Sequence, residues 1–88
     1  MAHTRESIDD VLANALQDMK VKATTPLDIT LTFNKDLGID SLGRAELIAR
    51  LERHFRIQVS DKDYARLTTV GETVDYIHSR LIDNYASA

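Results

Sequence analysis

Three segments of this chain carry apolar residues at helical spacing, and together they leave little room for any fold but a helical one. In the first, Ile8, Val11, Leu12, Ala15, Leu16 and Met19 form one stripe along three turns, with Thr4 or Ser7 placed to cap it. The second runs from Ser41 to about Phe55 and gathers Leu47, Ile48, Leu51 and Phe55 on one face. In the third, Thr69 and Glu72 have the spacing of a capping box, followed by Val70, Val74, Ile77 and Leu81, with the polar Thr73 beside the stripe. A short turn over residues 60–66 has its own cap signals in Ser60 and Asp63. The pattern predicts four helices, over about 4–20, 41–55, 60–66 and 69–83.

Between the first two helices the apolar residues of Pro26–Phe33 alternate strictly, which by pattern reads as a strand. Its only extended companion is the brief Arg56–Val59 stretch, and a strand without a partner leaves its backbone unsatisfied. An extended loop is therefore expected, laying Leu27, Ile29, Leu31 or Phe33 over the helices. Asn84 to Ala88 reads as a frayed tail.

Composition narrows the function. A chain of 88 residues with 43% apolar and 28% charged residues is expected to form a single domain over 1–88, with little room for a deep catalytic cleft. A stand-alone enzyme is not expected. With no cysteine there is no disulfide framework, no thiol nucleophile and no Cys-based zinc site. The apolar runs are too short for a membrane span, and Met1-Ala2-His3-Thr4 lacks the core of a signal peptide, so the expectation is a cytoplasmic monomer. The net charge of −3 argues against a nucleic-acid binder, and a basic recognition helix is missing. That acidity is uneven: residues 1–40 carry four Lys/Arg against seven Asp/Glu, and residues 41–88 carry seven of each.

The most informative stretch is Asp36-Leu37-Gly38-Ile39-Asp40-Ser41-Leu42. Gly38 permits a turn, and Asp40 or Ser41 can cap the helix that follows. Taken alone, those residues need mean nothing more than a cap. A hydrolase built on Ser41 would need a nucleophile elbow such as Gly-x-Ser-x-Gly, and none is present. His3, His54 and His78 have no metal-ligand spacing and read as surface residues.

The same stretch, followed by Ala45-Glu46-Leu47, Leu51-Glu52-Arg53-His54-Phe55, Ile57-Gln58-Val59-Ser60, Thr68-Thr69-Val70-Gly71-Glu72 and Tyr76-Ile77, resembles the acyl carrier protein family over roughly residues 5–82. The resemblance implies an all-α four-helix bundle with a long loop after the first helix and a short third one. It implies that Ser41 is esterified by 4′-phosphopantetheine, taken from coenzyme A by a phosphopantetheinyl transferase. The terminal thiol of that arm would hold an acyl group as a thioester for acyl-loading, condensing or acyl-transferring partners. An aminoacyl or peptidyl carrier is the alternative within the class. A helical interaction module in which Ser41 is only a cap is the alternative outside it.

Around the axis of the second helix, Leu42, Ala45 and Ala49 fall opposite the core face, with Glu46 and Arg53 near them. This strip, with Asp36 and Asp40 beside the serine, is the expected docking surface; the plainer reading has Leu42 packing against the loop. Carriers of primary fatty-acid synthesis have a strongly acidic second helix, whereas Arg44, Arg50 and Arg53 here face only Glu46 and Glu52. That departure points to a specialised lipid or polyketide-type pathway. Tyr64 and Leu67 are expected to pack, with a cavity for an acyl chain as the alternative.

Overall fold

The computed structural model describes residues 4–23 and 26–87, with side chains through Ile82. His3, Ala88 and the side chain of Tyr85 lie outside the described residues. Among the described residues four helices follow in order: α1 (Arg5–Asp18), α2 (Ser41–Phe55), α3 (Asp61–Tyr64) and α4 (Val70–Ser87). There is no strand among the described residues, only an isolated antiparallel bridge between Thr32 and Thr69. The fold is all-α, as the three stripes require.

Each helix starts on a side chain that satisfies amides its own ladder leaves orphaned. Thr4 caps α1 by accepting from the Ser7 amide at 3.1 Å, and Ser7 answers by accepting from the Thr4 amide at 3.1 Å. Ser60 caps α3 through the Asp63 amide at 3.2 Å. At α4, Thr69 accepts from the Glu72 amide and Glu72 accepts from the Thr69 amide, both at 3.1 Å, so the capping box is present. α4 runs on through Ser87, past the expected tail, since no Gly or Pro after Leu81 supplies a stop signal.

The core is the meeting of the three stripes. α1 packs against both α2 and α4. Ile8, Leu12, Ala15 and Leu16 are buried from α1, Leu47, Ile48, Leu51 and Phe55 from α2, and Val70, Val74 and Ile77 from α4; Val11, Met19 and Leu81 pack at its edge. Thr73 is also fully buried, and its hydroxyl donates to the Thr69 carbonyl one turn back at 3.0 Å, which removes the cost of placing it there.

The loop between α1 and α2 lies over the helices, but not with the regular alternation of its sequence. Leu27 and Phe33 are buried and Leu31 is half-buried, whereas Ile29 is 56% exposed. Asp28 is the cause. Its carboxylate accepts from the Thr30 amide at 2.9 Å and its carbonyl accepts from the Leu31 amide at 3.2 Å, folding residues 28–31 into a turn that breaks the period of two. Beyond the turn the backbone supports α4: the carbonyls of Ile29 and Leu31 accept from the amides of Gly71 and Val70, both at 2.9 Å, and Phe33 donates to Thr68 at 3.0 Å. Gly71 makes this approach possible, because a Cβ there would stand 2.8 Å from the Ile29 carbonyl oxygen.

Candidate functional site

The segment before α2 is wound into successive turns that end at Asp40. Asp36 and Leu37 donate backbone bonds to the Thr32 carbonyl, Gly38 to Asn34, and Ile39 to Phe33 at 2.8 Å. Gly38 takes the left-handed conformation, φ +68°, which a side chain would disfavour, and so turns the chain toward the helix. Buried Ile39 anchors it there. The Asp36 carboxylate accepts from the Thr32 amide at 2.8 Å and the Thr32 hydroxyl at 3.2 Å, so this exposed acid is bonded into the turn itself.

Between Asp40 and Ser41 the structure decides which residue caps. Asp40 is extended, and its carboxylate accepts from the Gly43 amide at 2.7 Å. Ser41 is the first helical residue; it is exposed, and its hydroxyl makes no hydrogen bond to any described residue. The amides of Ser41 and Leu42 likewise have no acceptor among the described residues. An uncommitted hydroxyl thus sits beside two unsatisfied amides at the positive end of a 15-residue helix. A phosphodiester on that oxygen would meet donors, not competitors, so the residues present fit the group the resemblance implies.

The outward strip of α2 is placed as expected in part. Leu42 is 79% exposed and so does not pack against the loop. Asp40, Leu42, Gly43, Ala45 and Glu46 line one shallow depression. Arg53 is exposed further along the helix and Ala49 is half-buried; neither joins that depression. Arg50 is turned toward carboxylates, 3.6 Å from Glu46 and 3.9 Å from Asp18. His54 is exposed, edge-on to Phe55, and His78 is half-buried. No cluster of metal-ligating side chains occurs among the described residues.

Arg44 does something that counting charges missed. It points inward from α2, where its Nη1 donates to the carbonyls of Tyr64 at 3.0 Å and Leu67 at 2.8 Å. Its guanidinium lies 4.3 Å from the centroid of the Tyr64 ring. The Tyr64 hydroxyl in turn reaches the Ser41 carbonyl at 3.5 Å, and Leu67 is buried. The signal was available: Arg44, Leu47, Ile48 and Leu51 follow the spacing of the core stripe, and a charge on that stripe needs buried acceptors.

Comparison with known proteins agrees with this geometry. Residues 9–77 match the family model described as the phosphopantetheine attachment site. The chain belongs to the acyl carrier protein family. Over 47 residues it is 53% identical to the mitochondrial acyl carrier protein of Saccharomyces cerevisiae, a stretch covering 53% of this chain and 38% of that protein. The match therefore spans well under half of the relative's length. The cofactor of this carrier family is 4′-phosphopantetheine.

Proposed function

We propose that Ser41 is the attachment point of 4′-phosphopantetheine and that the protein carries acyl groups between partner enzymes without catalysing their reactions. One observation carries this reading: Asp40 takes the capping bond from Gly43, which leaves the exposed Ser41 hydroxyl free at the start of α2. When bound, the arm supplies a thiol that this cysteine-free chain lacks.

The chain's own residues then have distinct parts. Ser41 provides the oxygen, and the amides of Ser41 and Leu42 stabilise the phosphodiester charge. Asp40 holds the first turn in shape. Exposed Leu42 and Ala45, bordered by Asp40 and Glu46, give partners an apolar contact next to the tether. Asp36 and Asp40 place negative charge where a phosphopantetheinyl transferase would dock. Arg53 ends the strip with a positive charge, which favours partners other than those reading a uniformly acidic helix, and so a specialised lipid or polyketide-type pathway.

Intact-mass measurement after incubation with coenzyme A and a phosphopantetheinyl transferase tests the attachment. The wild-type chain gains one phosphopantetheine, and Ser41→Ala gains none while keeping its helical content. A gain that survives Ser41→Ala refutes the assignment. The pathway inference fails if the protein replaces the general carrier of fatty-acid synthesis at equal efficiency in a reconstituted system.

A further inference from the structure

α3 is four residues long and fully buries none of its side chains; its apolar hold on the core is the partly buried Tyr64 ring. Polar bonds add to that hold from two sides. On the α4 side, the Tyr76 hydroxyl donates to the Asp63 carboxylate at 2.8 Å, and Arg80 donates to the Tyr76 oxygen at 2.8 Å and the Gln58 carbonyl at 2.9 Å. On the α2 side, Arg44 binds the Tyr64 and Leu67 carbonyls and covers the Tyr64 ring, whose hydroxyl reaches back to Ser41. The second set ties the end of α3 to the first turn of α2, three residues from the candidate tether.

We infer that Arg44 is a positioning residue that holds the seam between α2 and α3 shut beside Ser41, and so keeps an apolar cargo on the tether in solvent. This rests on Ser41 being the tether. A flexible arm keeps its cargo close to this seam, and each methylene that entered apolar surroundings would favour entry by about fourfold. Entry requires α3 to move away from α2. Arg44 then loses two charge-assisted bonds, each worth about tenfold or more, together with its stack on Tyr64. The clasp therefore opposes entry by a factor comparable to the burial of several methylenes, and its strength sets the acyl length at which the carrier begins to shelter cargo.

The test uses the full chain loaded with butanoyl or octanoyl phosphopantetheine, with thioester cleavage by hydroxylamine as the readout. In the wild type both thioesters are cleaved at the same rate. In Arg44→Met, which keeps the apolar stem, octanoyl cleavage falls about tenfold relative to butanoyl, while Arg44→Lys, able to donate but without the planar fork, lies between. An octanoyl-to-butanoyl ratio that is the same in wild type and Arg44→Met overturns the inference, as does octanoyl protection already present in the wild type. Amide exchange on the unmodified protein provides a second measurement that does not depend on the tether. Opening the clasp speeds exchange of the Ala65, Arg66 and Leu67 amides by about tenfold to a hundredfold and leaves the cores of α1 and α4 unchanged. If Ser41 accepts no prosthetic group, the tether reading fails on its own. Unchanged exchange in Arg44→Met overturns the clasp in either case.

Discussion

Replacing Asp40 and Ser41 separately distinguishes a capping serine from one left free. In Asp40→Ala the Gly43 amide loses its only acceptor, a charge-assisted bond of 2.7 Å at the N-terminus of α2. Losing such a cap costs about 1 kcal/mol, and removing the negative charge from the helix N-terminus adds roughly a few tenths more. In a domain of this size that lowers the thermal midpoint by about 4–8 °C. Asp40→Asn keeps an acceptor in place and gives up only the charge, so its loss is roughly a few tenths of a kcal/mol. Ser41→Ala removes a hydroxyl with no partner from a helical position that alanine favours, so stability holds or rises by about half a kcal/mol. Denaturant melts of the three variants, with the slope checked for constancy, give the ordering directly. A loss in Ser41→Ala equal to that in Asp40→Ala would mean that Ser41 shares the cap, and the argument for a freed hydroxyl would collapse.

Other outcomes follow from the loop and from α4. Phe33→Ala, although on a loop, removes a fully buried ring and costs about 3–5 kcal/mol in a denaturant melt, as much as a core helix residue. Gly71→Ala sets a methyl 2.8 Å from the Ile29 carbonyl oxygen, a backbone atom that cannot swing aside, and destabilises by about 1–3 kcal/mol. The Thr68 hydroxyl, with help from Thr69, holds the Glu72 carboxyl below its ordinary 4.5; the folded state then binds fewer protons, so this contribution is complete above that value and is lost as pH falls through the lowered one. Acid titration of stability in Glu72→Gln is correspondingly flatter below 4.5. Burial, then the bond to Asp63, raises the Tyr76 hydroxyl above its ordinary 10.0, so its contribution is present below that value and lost as pH rises through the raised one. Tyr76→Phe removes that alkaline loss.

The helices and their caps were legible in the sequence because they depend on local spacing. The buried stripes, the Thr69–Glu72 box and the Ser60 cap all rest on residues within one or two turns of each other. The loop was legible only in outline, because its alternation fits a strand until Asp28 bonds to Thr30, and that competing turn decides where Ile29 points. The choice of cap beside the candidate site also needed geometry, since both Asp40 and Ser41 carry an acceptor at a helix start.

Charge shows the same limit most clearly. Along the sequence, α2 holds three arginines against two glutamates and looks mildly basic. In the structure those five residues face different ways. Arg44 is bound to the carbonyls of Tyr64 and Leu67, Arg50 lies toward Asp18 and Glu46, and Glu52 accepts from the Val59 amide at 2.8 Å. What the outward strip offers a partner is Asp40 and Glu46 around Leu42, with Arg53 farther along the helix. On the proposed docking surface a partner would meet negative charge beside Ser41 and positive charge toward the far end, a direction along the helix as well as a contact. The net charge of the segment falls in importance, and the order of its exposed charges takes its place.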